Sequence, residues 1–212
     1  MQPLRLIIFA KAPVAGEAKT RLIPALGAAG AAALAEQLLN HAVATGLEAR
    51  GADAHLAVEL CTTPDTEHPA FQRLAPTPGL VLSTQGSGDL GARMDRALTR
   101  ALATARAALL IGTDAPALHT GLLLQAAQAL EQHDAVFVPA LDGGYALVGL
   151  RRPAPELFKG MVWSTPQVMA HTRDRARQAG LRWAELPPVA DVDLPADLVH
   201  LPPGWLPTEP PP

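Results

Sequence analysis

Short apolar runs recur along this chain, and segments with helical periodicity stand between them. Leu4 to Ala10, Asp53 to Cys61 (with Leu56, Ala57, Val58 and Leu60), Gly79 to Thr84 and Ala107 to Gly112 each read as strands. Ala28 to Ala49, with Leu34, Leu38 and Ala42 at helical spacing, follows the first strand. A glycine-punctuated turn at residues 85–94 opens a helix to about Arg106, and Leu122, Ala126, Ala129 and Leu130 mark another. Strands separated by helices need crossover connections, which implies a mainly parallel sheet with helices on both faces. Asp134 to Leu141 and Tyr145 to Leu150 meet at Asp142-Gly143-Gly144, a hairpin signal that makes the sheet mixed.

The remaining segments fit the same plan. Pro64, Pro69, Pro76 and Pro78 break the stretch from Thr63 to Pro78, leaving one helical turn around Phe71 to Leu74. Thr165-Pro166 offers an N-cap and a first-turn proline for a helix to about Gly180. Leu181 to Leu186 reads as a late strand and Pro195 to Leu201 as a last short helix. The expected architecture is one three-layer α/β/α domain over residues 1–201, with a proline-rich tail, 202–212, extended or disordered.

Composition narrows the class. Hydrophobic content of 49% and charged content of 17% belong to a chain with a packed core. A formal net charge of −3 argues against general nucleic-acid binding, which needs a basic face. Cys61 is the single cysteine, so no intramolecular disulfide can form, and its place after an apolar run makes it a small core residue. Leu4 to Ala10 is too short for a signal-peptide core or a membrane span, and no later run is expected to reach that length. The expectation is a cytoplasmic protein with no membrane partner.

The first loop carries the strongest chemical signal. Lys11, Ala12, Gly16, Lys19 and Arg21 follow the first strand, and ligands of open α/β sheets bind beyond the C-terminal ends of the strands. Three cations there suit a diphosphate or triphosphate, and Gly16 would let the backbone approach it. The loop is neither a Walker A sequence nor a Gly-x-Gly-x-x-Gly fingerprint. Asp114, two residues beyond a buried strand and before Pro116, reads either as a ligand for Mg²⁺ or Mn²⁺ or as an N-cap. Asp191 and Asp193 would project the same way if extended and could supply a second carboxylate, or again a cap; Asp197 reads as a helix-dipole partner. Asp142-Gly143-Gly144-Tyr145 is a hairpin turn or a substrate contact. Asp89 and Arg93 present an arginine to an anion or open a helix. Trp163, beside Ser164, stacks on a sugar or base, or lies in the core. No His-x-x-x-His pair and no Gly-x-Ser-x-Gly elbow occurs, so zinc and serine-hydrolase chemistry lack support.

Taken in order, Phe9-Ala10-Lys11-Ala12-Pro13, Lys19-Thr20-Arg21-Leu22, Gly88-Asp89-Leu90-Gly91, Gly112-Thr113-Asp114-Ala115-Pro116, Asp142-Gly143-Gly144-Tyr145, Trp163-Ser164-Thr165-Pro166 and Asp191-Val192-Asp193 resemble the bacterial DUF2064 family over nearly the whole chain to about residue 200. That family is associated with arsenosugar biosynthesis and with radical-SAM and selenium-domain proteins. Ala15, Ala115, Leu194 and Ala196 depart from its pattern without removing a candidate charge. The resemblance implies the nucleotide-diphospho-sugar transferase superfamily and its Rossmann-like GT-A fold. It implies Mg²⁺ or Mn²⁺ on Asp114, Asp191 and Asp193. By it Lys11, Lys19 and Arg21 match the phosphate-binding loop; from the residues themselves, Ala12, Gly16, Asp89 and Arg93 are further candidates to contact phosphates, and Asp142, Gly143, Gly144, Tyr145, Trp163 and Ser164 to line the sugar or acceptor side.

Three functional readings follow from this. Glycosyl transfer from a nucleotide-diphospho-sugar to a small acceptor leads, with Lys19, Arg21 and Asp114 at the reacting centre. Nucleotidyl transfer from an NTP to a phosphorylated acceptor stands beside it, because the cationic loop suits a triphosphate and no Asp-x-Asp follows the central strand. A non-catalytic nucleotide-binding protein is the third. The apolar hairpin after Asp134 offers a surface that could pair across a homodimer.

Overall fold

The computed structural model describes residues 3–205. Seven strands form one sheet in the order β3-β2-β1-β4-β6-β5-β7. They are β1 (Leu4–Lys11), β2 (Leu56–Thr63), β3 (Leu80–Thr84), β4 (Ala107–Ile111), β5 (Ala135–Pro139), β6 (Tyr145–Leu150) and β7 (Trp183–Glu185). The helices are α1 (Ile23–Ala52), α2 (Pro69–Leu74), α3 (Leu90–Leu102), α4 (Thr120–Ala129) and α5 (Val168–Gln178). Every strand pairing is parallel except those of β6 with β4 and with β5. The expected mixed sheet is therefore present.

Alternation along β1 builds two cores. Leu4, Leu6, Ile8 and Ala10 join Leu39 and Val43 of α1, Phe71 of α2 and Leu122 and Leu123 of α4 on one face. Ile7 and Phe9 join Met94 and Leu98 of α3 and Met169 and Ala176 of α5 on the other. These are the outer layers predicted from the alternation of runs. Cys61 is fully buried in the second cluster, and burial pushes its thiol pKa up, away from reactivity.

The chain order fixes where a ligand can enter. β1, β2 and β3 step toward one edge, and the chain then returns to place β4 on the other side of β1. The crevice between β1 and β4 is thus the topological switch point of the sheet, where open α/β folds take ligands. β4 stops at Ile111, opposite Ile8, so β1 runs three residues farther, to Lys11. The loop 112–116 occupies the space beyond β4.

Several local expectations need correction. Gly27 interrupts the first helix with φ 69 and ψ 167, so the uninterrupted part begins where the apolar periodicity does. The helical stretch Thr20–Ala52, 33 residues, is long and apolar enough to cross a membrane by length and composition, contrary to the sequence expectation; it lies against the sheet through Leu39, Ala42 and Val43. Thr165 is not an N-cap: its hydroxyl donates to the Val162 carbonyl, and α5 starts three residues later. The hairpin β5–β6 does not offer a free edge for a second copy, because β6 lies between β4 and β5, and β5 between β6 and β7. Of the proline-rich tail, residues 206–212 lie outside the described residues. Trp205 packs edge-on against His41 of α1, with ring centres 5.2 Å apart, so the start of that segment is docked.

Candidate active site

Three loops meet beyond the C-terminal ends of β1 and β4. The first follows β1. Lys11 is its last strand residue, and its ammonium donates to the Glu17 carbonyl at 2.8 Å, tying the loop back on itself. Ala12 is buried and donates its N–H to Thr63. Gly16 takes φ 84 with open space around it, so its role is a left-handed turn. Lys19 also adopts left-handed backbone angles, φ 48 and ψ 43, unusual for a residue with a side chain. That conformation sends its ammonium inward, and its side chain is only 7% exposed.

The second loop carries Asp114, and the third carries Asp191 to Asp193. Lys19 Nζ lies 2.5 Å from Asp114 Oδ1 and 3.7 Å from Asp193 Oδ1, and donates to the Val192 carbonyl at 2.6 Å. Arg21 donates to Asp193 Oδ2 at 2.8 Å. Val192 is fully buried among Leu22, Ala31, Leu34 and Leu38, and its N–H donates to the Asp114 carbonyl at 2.8 Å. Residues as much as 173 apart in sequence are thereby joined into one knot. The capping alternative for Asp114 fails, because His119 caps α4 by accepting from Leu122 N–H. Asp197 accepts from the N–H groups of Asp193 and Leu194, at 3.1 and 2.7 Å, and so fixes the backbone that presents Asp193.

A cleft of about 230 Å³ opens beside this knot, lined by Arg21, Leu141, Asp142, Asp191, Asp193 and His200 among others. Burial, and after it the Asp142 carboxylate, pushes the Asp191 carboxyl above the usual carboxylate range; Asp197 and Asp114 push the same way, and a backbone hydrogen bond opposes them. The cleft is thus rich in negative charge next to a cationic loop. A wider depression of about 440 Å³, lined by Gln132, His133, Leu181, Arg182 and Trp183, lies before β5 and β7, at the opposite end of the sheet.

Asp142 reaches the cleft through a constrained turn. Its Oδ1 accepts from Gly144 N–H at 2.7 Å, and Gly143 takes φ 93. A Cβ on Gly143 would fall 2.1 Å from the Pro166 carbonyl oxygen, while its own carbonyl accepts from Met169 N–H at 2.8 Å. The turn is therefore pressed onto the approach to α5. Ser164, exposed at φ 60, shapes that approach.

The remaining predicted residues have partners within the fold. Asp89 caps α3 by accepting from Ala92 N–H at 2.8 Å, and Arg93 donates to the Gly88 carbonyl. Tyr145 and Trp163 meet edge-on, 6.3 Å apart, and pack against the second core. Burial drives the Tyr145 hydroxyl pKa far up, so it stays protonated. Trp163 lies against Gly91, where a Cβ would come within 2.9 Å of the indole Nε1.

Sequence reasoning passed over three other contributors, Gln85, Arg96 and Val192, and gave a fourth, Asp197, a different role. Gln85 is buried and donates to the Ala10 and Cys61 carbonyls, joining β1 to β2 beside the first loop. Arg96 donates to the Gln85 and Ser87 carbonyls. Val192 and Asp197 act as described above. Gly86, Gly88 and Gly91 also show Gly-x-Gly-x-x-Gly spacing, which would have flagged this turn. It follows the edge strand β3, and the Asp89 carboxylate occupies the N-terminus of α3, where a dinucleotide's phosphate would need to sit.

As for a metal, the carboxylates Asp114, Asp191 and Asp193 offer hard oxygen donors, and the ammonium between two of them shows that the position favours a cation. Among the described residues, no three His, Cys, Asp or Glu side chains converge as a ready metal cage. The donor types fit Mg²⁺ or Mn²⁺, and Lys19 stands in the way.

A doubly wound sheet with its charged loops at the switch point is the GT-A-like arrangement of nucleotide-handling transferase folds. The DUF2064 sequence profile, described as "Uncharacterized protein conserved in bacteria", matches residues 46–165, and the chain belongs to this family. That stretch holds Asp89, Asp114, Asp142 and Trp163, whereas Lys19 and Asp193 join the site through the fold. A candidate nucleotide-diphospho-sugar transferase from Desulfovibrio desulfuricans G20 is 30% identical, with TM-score 0.83 over 93% of this chain and 85% of its own. The fold alone is shared with 4-diphosphocytidyl-2C-methyl-D-erythritol synthase of Anaerococcus prevotii DSM 20548, at 13% identity and TM-score 0.58 over 94% of this chain and 96% of that one. It is shared likewise with CMP:2-keto-3-deoxy-manno-octonic acid synthetase complexed with CTP, at 12% identity and TM-score 0.57 over 93% and 96%. Comparison with curated protein sequences gave no match.

Proposed function

We propose that the protein is a transferase acting on a nucleotide-activated substrate, and that it moves a glycosyl group from a nucleotide-diphospho-sugar to a small acceptor. The observation that carries this reading is the meeting of Lys19, after β1, with Asp114, after β4, at the switch point of the sheet. The similarity to the Desulfovibrio protein supports the same class. Lys11, Lys19 and Arg21 would take the diphosphate. Asp142, on its constrained turn, would face the sugar or acceptor from the far side of the cleft. Asp114 and Asp193, with Asp191, would hold Mg²⁺ or Mn²⁺, which when bound neutralises charge on a departing phosphate. In the transfer, an acceptor hydroxyl oxygen bonds to the anomeric carbon and releases its proton to solvent, the bond from that carbon to the diphosphate oxygen breaks, and the nucleoside diphosphate departs with the electron pair.

One observation favours nucleotidyl transfer as the second reading. The loop after β4 supplies Asp114 alone, with no Asp-x-Asp, while the facing loop supplies several cations suited to a triphosphate. There, an acceptor phosphate oxygen would attack the α-phosphorus of an NTP and pyrophosphate would leave. The two are separated by incubating the protein with Mg²⁺ or Mn²⁺, a panel of NTPs and nucleotide sugars, and candidate acceptors. Nucleoside diphosphate release from a nucleotide sugar is the expected result. Pyrophosphate release from an NTP replaces the first reading with the second. Metal-dependent binding without turnover of any donor would instead mark a nucleotide-binding protein.

A further inference from the structure

The Lys19 ammonium sits among the ligands of a hard cation. Two carboxylates and a backbone carbonyl face it: Asp114 Oδ1 at 2.5 Å, the Val192 carbonyl at 2.6 Å and Asp193 Oδ1 at 3.7 Å. Carboxylate and carbonyl oxygens are the donors that Mg²⁺ and related ions take. The side chain is 7% exposed, and its backbone holds a left-handed conformation, sparsely populated for any residue with a side chain. A surface lysine resting casually on a carboxylate would show neither feature.

Resting on the nucleotide-transferase reading above, we propose that Lys19 is a built-in stand-in for the divalent cation. It closes the Asp114–Asp193 pair while the site is empty of nucleotide, and it passes to the phosphates when metal and nucleotide enter. Lys19 and Arg21 already match the charges of Asp114 and Asp193, so a divalent ion arriving alone meets a neutralised pair and a buried ammonium. A phosphate chain removes both obstacles, because it draws the ammonium away and brings negative charge of its own. Metal and phosphate therefore bind with positive coupling, and by linkage each strengthens the other equally.

The test is Mn²⁺ binding to the full chain without nucleotide, with free ion followed by electron paramagnetic resonance. Lys19→Met and Lys19→Ala are expected to bind Mn²⁺ at least tenfold more tightly than the unsubstituted protein, and Asp114→Asn added to Lys19→Met to abolish the gain. Inorganic pyrophosphate in the presence of EDTA should bind at least tenfold more weakly to both lysine variants. Should the variants not fold, thermal shifts of the unsubstituted protein serve: Mn²⁺ and pyrophosphate together should raise Tm by more than the sum of their separate effects, and simple additivity would overturn the proposal. Folded lysine variants that bind Mn²⁺ no more tightly than the parent would also overturn it, while leaving the metal assignment intact. If no form binds Mn²⁺ with or without pyrophosphate, the metal-dependent transferase reading falls with it.

Discussion

Replacing Gly143 by alanine isolates the part of the site that depends on backbone shape. The added Cβ would lie 2.1 Å from the Pro166 oxygen and 2.6 Å from its carbonyl carbon and Cα. All three are backbone atoms, so no side chain can swing aside. Relief requires the turn and the start of α5 to separate by close to 1 Å, which breaks the 2.8 Å bond from Met169 N–H to the Gly143 carbonyl. A left-handed conformation at a residue with a side chain costs about 1–2 kcal/mol, and the lost bond about 1 kcal/mol. With residual overlap the total comes to about 2–5 kcal/mol, or a Tm lower by roughly 4–20 °C for a chain of this size. Gly16→Ala is the control, since Gly16 has φ 84 and nothing near its would-be Cβ; it should lose only the conformational part, about 1–2 kcal/mol. Thermal unfolding of the two variants side by side gives the answer. Equal losses would refute the claim that the Asp142 turn is pressed against Pro166.

Further outcomes are expected at the site and around it. Asp114→Asn should abolish Mn²⁺-dependent nucleotide binding while leaving the protein folded, because its own carboxylate is 53% exposed and the buried Lys19 ammonium keeps the Val192 carbonyl and Asp193; equilibrium binding and thermal melting of one preparation check both halves. Asp197→Ala removes the acceptor for two N–H groups and should cost about 1 kcal/mol while weakening nucleotide binding, and unaltered affinity would show that Asp193 needs no such support. Arg100→Leu leaves the Glu59 carboxylate, on β2 and 7% exposed, without its ion partner, and should cost about 3 kcal/mol in urea unfolding; Glu59→Gln in the same chain should restore much of it. Glu185, whose pKa is held down by hydrogen bonding to Arg173, binds the end of β7 to α5. A lowered carboxylate pKa contributes stability above its ordinary value of 4.5 and loses it as pH falls through the folded value, so Arg173→Gln should destabilise slightly at pH 7 and not at pH 2. A loss independent of pH would point to packing instead.

What the sequence made legible follows from which atoms do the work. The continuous apolar run of β1, buried on both faces, and the Ala- and Leu-rich helix after it act through side chains, and both appear in the sequence as patterns. Lys19, Asp114 and Asp193 were legible for the same reason, since charges at strand ends point to a site whatever loops join them. The arrangement of those charges was not. Lys19 reaches Asp114 through a left-handed backbone at a non-glycine position, which no residue type announces. Val192 holds the loops together through its N–H and its carbonyl, groups that every non-proline residue possesses, so its identity in the sequence says only that it is apolar. The ambiguity of Asp89 and Asp114, each a cap or a ligand on paper, has the same origin. Asp89 Oδ1 meets Ala92 N–H and caps α3, whereas α4 begins six residues after Asp114 and takes its cap from His119. Two aspartates with similar sequence surroundings thus part company over where the next helix starts. The aspartate left without a helix to cap is the one that meets the lysine.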